Sequence, residues 1–426
     1  MWYRGGDKRR LLQLRPASAV LVSPRTSETS LMRRRDVLPL LAAAALPWPR
    51  PAVAGQAELD EAVGFAGQVL FLAAKVPALV IGVVRNGQTS IQGFGRRAEG
   101  SDAEPTADTL FRIGSVTKAF TGQVLASLAA DGVVGLADPL TKYVPDFIAP
   151  LSEGGRPIRL VDLATHSAGL PREVPHAPGP PDDPFANITR EAFVSWLKAN
   201  PLLFTPGTSI LYSNFGFDLL AAALSAAARK PYPELIAERL LKPLGLDDTT
   251  FTPSGDQTTR LMRGHDFHGD ALPYAPTGSI IVGSGGLYSS PRDLLRWLQW
   301  HLDRFGAERA AERLIDHAAY LWRDGLNSVF GMDESGHMDA MGLAWVVMQP
   351  EGDRPLILQK AGGLQGIFSY VAFAPMRNIG VMVAINTFDF NAGLAMAKTA
   401  NDLIAELAPR PTARRRAGRS RSSNRG

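Results

Sequence analysis

Apolar positions recur at helical spacing over 57–74, which predicts an amphipathic helix there. An unbroken apolar run, Ala78–Val84, follows. Then come Asn86-Gly87 and the alternating segment Thr89–Phe94, an order that predicts a β-hairpin with a two-residue turn. A helix is expected at 115–131. From about 119 to 350 helical patterns dominate, at 190–199, 216–228, 232–241 and 291–303, broken by Pro/Gly-rich loops such as 171–184. Three further β runs, Leu356–Lys360, Ile367–Phe373 and Ile379–Ile385, precede a final helix at 389–407. No internal repeat is visible. The two ends of this pattern predict a mostly antiparallel sheet covered by terminal helices, and the middle predicts a helical insertion, so the fold class is α/β (α+β). The expected body spans 55–408. Its sheet subdomain covers about 55–118 and 345–408, its helical subdomain about 119–344, and a site is expected in the cleft between them.

Charge separates the body from its flanks. The 426 residues carry a formal net charge of +4. Residues 1–54 and 409–426 contribute +7 each, which leaves −10 for 55–408. A basic nucleic-acid-binding face on the body is therefore not expected. Residues 33–54 read as an export signal. Arg33, Arg34 and Arg35 form the basic region, Leu38 to Leu46 the apolar region, and Ala52-Val53-Ala54 a small-x-small cleavage pattern. Arg34-Arg35-Asp36-Val37-Leu38 resembles a twin-arginine signal, and a general secretory signal is the plainer alternative. Residues 409–426 lack apolar periodicity and are expected to be a disordered basic tail. It could touch an anionic envelope surface or simply aid solubility. The chain has no cysteine, which excludes disulfides, thiolate metal sites and a cysteine nucleophile.

Three short motifs carry the chemistry. In Phe111-Arg112-Ile113-Gly114-Ser115-Val116-Thr117-Lys118, Gly114 permits a tight turn into a helix. Ser115 and Lys118 then fall one turn apart on one face, beside free N–H groups and the positive end of the helix dipole. That setting suits a hydroxyl nucleophile whose attack creates an oxyanion. A second Ser-x-x-Lys, Ser195 to Lys198, lies inside a helix capped by Thr189 and reads as structural. Tyr212-Ser213-Asn214 precedes an apolar helix, where a buried tyrosine and a capping Asn214 would be the bland explanation. Lys360-Ala361-Gly362-Gly363 ends a β run and by itself reads as an edge lysine with a glycine turn. His265-Asp266-Phe267-His268 is a weak metal candidate without a third ligand and reads as a polar loop; His166 reads as structural. No metal or cofactor is expected, and no P-loop, dinucleotide fingerprint or Gly-x-Ser-x-Gly elbow occurs.

In this order, Ser-x-x-Lys, Tyr-x-Asn and Lys-x-Gly resemble the serine penicillin-recognising enzymes, the β-lactamases and DD-peptidases. Tyr-x-Asn points to the class C branch. Leu163 to Glu173, Pro243-Leu244-Gly245-Leu246 and Gly283 to Ser289 extend the resemblance over about 58–407. Phe330-Gly331-Met332-Asp333, Gly342-Leu343-Ala344-Trp345 and Lys360 to Gly363 look most like the periplasmic DD-carboxypeptidase/DD-endopeptidase subgroup of the AmpH type. The resemblance implies a β-lactamase/transpeptidase-like fold and catalytic roles for Ser115, Lys118, Tyr212 and Lys360. It implies substrate binding by Asn214, Gly362 and Gly363, with backbone N–H groups of Ser115 and Gly363 as the oxyanion hole. The implied partners are peptidoglycan stem peptides and β-lactams, met outside the cytoplasm by a monomer.

Neither lysine nor tyrosine is a base at neutral pH unaided, so the proton from Ser115 goes to Lys118, to Tyr212 or to the pair. Mutual proximity of two lysines and a phenol would make the cluster titrate as a unit. Related enzymes often carry Lys-Thr-Gly in the third motif; Ala361 removes that hydroxyl, a donor to a substrate carboxylate. This leaves room for endopeptidase, D-aminopeptidase or ester hydrolysis, for a class C-like β-lactamase, and for a sensor that is acylated without turnover.

Overall fold

A computed structural model of the chain describes residues 51–148, 155–180, 183–278 and 280–408. The export signal read at 33–54 lies outside the described residues apart from the backbone of its last four positions, and the basic tail 409–426 lies outside them altogether.

The predicted hairpin forms. Strands β1 (Ala78–Arg85) and β2 (Gln88–Gly95) pair antiparallel with Arg85 opposite Gln88. Asn86 and Gly87 between them have φ of 50° and 81°, the two positive values that a tight hairpin turn requires. Later in the chain come β3 (Leu321–Trp322), β4 (Ala340–Met341), β5 (Val346–Met348), β6 (Ile357–Leu364), β7 (Ile367–Ala374) and β8 (Ile379–Ile385). All eight join one antiparallel sheet in the order β2-β1-β8-β7-β6-β5-β4-β3. The short pairs at 321–322 and 340–341 were not expected as strands of this sheet. Two residues are too few to show an alternating pattern, and neighbouring backbone holds them in place.

Strand β1 is apolar without alternation because both faces of the sheet are covered. Leu79, Ile81 and Val83 turn toward helices α1 (Pro51–Ala74) and α6 (Phe390–Leu407), where they meet Leu59, Val63, Met396 and Ile404. Val80 and Val84 face the opposite core with Phe120, Leu294, Trp297 and Phe373. Each such fully buried side chain contributes about 1.5–3 kcal/mol by leaving water. Helix α2 (Thr117–Ala130) runs through that second core with Thr117 to Leu128 all buried. Helices α3 (Asn214–Ala228), α4 (Pro291–Leu302) and α5 (Ala310–Asp316) pack around it. No helix among the described residues is long and apolar enough to cross a membrane.

Candidate active site

The Ser115 turn is pressed against β6 by two glycines. Gly114 has φ of +48° and opens a short 3-10 turn, Gly114–Val116, that leads into α2. A Cβ on Gly362 would lie 2.1 Å from Ile113 O and 2.9 Å from Ser115 N. The contact thus exists only because that strand position has no side chain. Ser369, opposite Gly362 on β7, donates its hydroxyl to Ile113 O at 2.8 Å and pins the turn from the neighbouring strand. Gly362 and Gly363 lie inside β6 rather than in a turn after it, because their backbone stays paired to Ser369 and Phe368.

Around Ser115 Oγ the three motifs converge. Tyr212 Oη donates to it at 2.6 Å, and Lys118 Nζ donates at 3.1 Å. Lys118 is fully buried; it also donates to Asn214 Oδ1 at 2.6 Å and to the Ser284 carbonyl at 2.7 Å. All three hydrogens of the ammonium form are therefore engaged. Lys360 sits with its Nζ 5.0 Å from the centre of the Tyr212 ring, Lys118 Nζ is 4.9 Å from the same point, and the Arg172 guanidinium is 4.8 Å away. Three cations thus surround one phenol. Burial pushes the Lys360 ammonium down to about 8, a fall that nearby Lys118 reinforces. Burial likewise pushes Lys118 below the ordinary lysine value, against the pull of Asp218 and Glu173, and pushes the Asp218 carboxyl up. In this pair burial favours the neutral form of each partner.

Asp218 and Glu173 were not singled out in the sequence. Asp218, four residues after Asn214 and so one helical turn on, accepts from the N–H groups of Gly283 and Ser284 and from the Ser284 hydroxyl. It thereby holds the loop whose carbonyl receives Lys118. Glu173 accepts a hydrogen bond from the Asn214 side-chain amide, which fixes the amide with its oxygen toward Lys118. Ser213, not Asn214, caps α3: its hydroxyl accepts from Gly216 N at 2.9 Å, while Asn214 is the first helical residue and points into the cluster. His166 takes a left-handed backbone conformation, accepts at Nδ1 from Ser213 N at 3.0 Å and stacks on Tyr212 with ring centres 4.5 Å apart. Burial, then the charges of Lys360 and Lys118, hold it neutral, so it supports the phenol as a packed surface.

Other candidates stay apart. Ser195 and Lys198 are exposed on a helix at Arg190–Ala199 that Thr189 caps through Ala192 N. His265 donates from Nδ1 to Asn386 O at 2.9 Å, and among the described residues the cluster of potential metal ligands does not include it. Two cavities flank Ser115. One of about 300 Å³ is bounded by Arg172, Tyr212, Lys360, Ala361 and Phe390. A smaller one of about 100 Å³ lies toward Glu173, Asn214 and Leu364.

Residues 57–406 match the Beta-lactamase family model. This chain belongs to the beta-lactamase family. Among curated beta-lactamase relatives, the D-alanyl-D-alanine-carboxypeptidase/endopeptidase AmpH of Escherichia coli is 39% identical over 347 residues, covering 79% of this chain and 86% of that protein. A beta-lactamase of Pseudomonas fluorescens is 25% identical over 330 residues, covering 73% of this chain and 88% of that protein. A solved beta-lactamase/D-alanine carboxypeptidase from Yersinia pestis, complexed with citrate, has a TM-score of 0.75 at 37% identity and covers 84% of this chain and 99% of that one.

Proposed function

We propose that this serine hydrolase is an exported, periplasmic DD-carboxypeptidase/endopeptidase. It would act on peptidoglycan stem peptides through an acyl-enzyme and be acylated by β-lactams at the same residue. The observation that carries the reading is the double contact on Ser115 Oγ, from Tyr212 Oη at 2.6 Å and Lys118 Nζ at 3.1 Å. The 39% identity to a protein named for both peptidase activities supports the substrate class.

Ser115 Oγ attacks the carbonyl carbon of a D-Ala–D-amino-acid bond. Its proton passes to the oxygen of Tyr212 or to neutral Lys118 Nζ, both already within hydrogen-bond reach. Backbone N–H groups of Ser115 and Gly363 face the resulting oxyanion. The C–N bond then breaks, the leaving amine takes the proton, and water cleaves the ester by the reverse proton path. Asn214 holds the substrate amide and, with Glu173, fixes Lys118. Lys360 keeps positive charge near the phenol and near a substrate carboxylate. Ala361 offers no hydroxyl to that carboxylate, which favours cross-link cleavage over removal of a terminal residue.

Incubating the body with a fluorescent penicillin and mapping the adduct tests the assignment. Label on Ser115, retained in Ser195→Ala and lost in Ser115→Ala, is the expected result. Unlabelled wild type, or label surviving in Ser115→Ala, sinks it. Multiple turnovers on cross-linked muropeptides separate the enzyme from a sensor, which would stop after one stoichiometric burst.

A further inference from the structure

Outside the Ser115 cluster, α4 and α5 bury a second polar group that the proposed chemistry does not use. His301 lies near the end of α4; Asp316 ends α5 and His317 follows it. The side chains of His301 and Asp316 are fully buried, and that of His317 is 15% exposed. His301 Nδ1 and His317 Nε2 are 2.9 Å apart, and Asp316 Oδ2 lies 3.6 Å from the first and 3.8 Å from the second. Trp345 donates its indole N–H to the same Asp316 oxygen at 2.9 Å. Trp297, Trp300, Trp345 and Phe373 stand around the His301 ring.

Protein groups alone leave this cluster unbalanced. Only one of the two facing imidazole nitrogens can carry the hydrogen they share, and with either assignment His301 Nε2 is buried without a partner. Asp316 Oδ1 is also buried without a partner, and among the described residues no arginine or lysine pairs with this carboxylate. Arg313, the nearest guanidinium in sequence, turns its Nη2 to the carbonyls of Gly306 and Glu308 and makes no ion pair with Asp316. Kept charged with a single neutral donor, such a buried carboxylate is costly, and burial pushes the Asp316 carboxyl well up toward its neutral form.

We propose that His301 Nδ1, His317 Nε2 and Asp316 Oδ2 bind one divalent first-row transition ion of the zinc class, clamping α4 to α5. Two imidazoles and a carboxylate are a donor set this ion prefers. Ligands at ordinary zinc distances in a tetrahedron are about 3.4 Å apart, and the three observed separations bracket that edge. The ion supplies a cation to Asp316 Oδ2, the oxygen that the Trp345 indole also holds, while His301 Nε2 and Asp316 Oδ1 keep no partner. His317 is the one ligand with side-chain exposure, so water would complete the four-coordinate shell on its side. This site shares no residue with the Ser115 cluster, so its role is structural.

The full chain, stripped with a chelator and desalted, is titrated with zinc sulfate. Bound metal is counted after gel filtration, and melting is followed against free zinc. One zinc per chain is expected, with a melting temperature that climbs with free zinc and falls back on chelation. His317→Gln, which removes a ligand, should bind at least about 100-fold more weakly, the upper end of the loss for an outer-shell partner, while Ser115→Ala and His265→Gln bind like wild type. No retained zinc, or equal retention by His317→Gln, overturns the proposal. Cobalt in the unmutated chain is a second reading that needs no variant. The strong visible absorption of a four-coordinate site is expected, and the weak spectrum of a six-coordinate aquo ion overturns it.

Discussion

Tyr212 Oη and Ser115 Oγ lie 2.6 Å apart although 97 residues separate them in the chain. Removing that one oxygen is the cleanest test of the phenol. Tyr212→Phe keeps the ring stacked on His166 and keeps the buried apolar area. Its melting temperature should stay close to wild type while the acylation rate by a reporter penicillin falls about 100-fold or more. Unchanged acylation would place the proton on Lys118 alone.

Acylation should be bell-shaped in pH. The ascending limb follows loss of a proton from Lys118, at a pH below the ordinary lysine range because burial pushes Lys118 down. The descending limb should fall near 8, where Lys360 loses the charge that holds a substrate carboxylate. Stopped-flow acylation across pH 5 to 10 measures both limbs, and Lys360→Arg should move only the upper one to higher pH.

The same shift predicts that the site costs stability. The folded-state value of Lys360 is lowered from 10.5 to about 8, so the unfolded chain binds this proton more tightly. The cost is fully present below pH 8, shrinks as pH rises from 8 toward 10.5, and is gone above that. Lys360→Met should therefore be more stable than wild type at pH 7 by something on the order of 3 kcal/mol, with the gain vanishing near pH 10.5. Denaturant melts at the two pH values decide it; a gain independent of pH would point to packing instead.

Gly362→Ala should uncouple the two halves of the site. Its Cβ would meet Ile113 O at 2.1 Å, so the Ser115 turn must lift off β6. Loss of penicillin labelling by about 100-fold or more is expected, with destabilisation of about 2 kcal/mol. Normal labelling kinetics would show that the turn need not touch the strand.

Ala361→Thr should restore a donor on the strand beside Lys360. For substrates with a free terminal carboxylate, kcat/KM should rise about tenfold, the worth of one hydrogen bond to a charged acceptor. Substrates without that carboxylate should gain little. Paired assays on a pentapeptide and a cross-linked dimer read the ratio.

Much of this was legible in the sequence because the physics is local. Asn86-Gly87 fixes a turn through two positive φ values, and Ser115 and Lys118 meet because one helical turn separates them. The residues Tyr212, Asn214 and Lys360 were flagged by motif order; the fold brings Tyr212 to the Ser115 hydroxyl, Asn214 to Lys118 and Lys360 to the face of the Tyr212 ring. What escaped has no side-chain signature. The acceptor for Lys118 includes the carbonyl of Ser284, which any residue could supply. Asp218 acts on that loop from a helix, and its helical spacing from Asn214 was the one available cue. The two-residue strands at Leu321–Trp322 and Ala340–Met341 are defined by their partners, so no pattern within them could reveal them.

The register of β1 against β8, from Leu79 opposite Ile385 to Arg85 opposite Ile379, ties the first strand to the last. A ribosome emits the opening hairpin long before its neighbour, so one flank of that hairpin must wait, unsatisfied and adhesive, for some three hundred residues of synthesis. Chains cut short before residue 379 would therefore be sticky as well as inert.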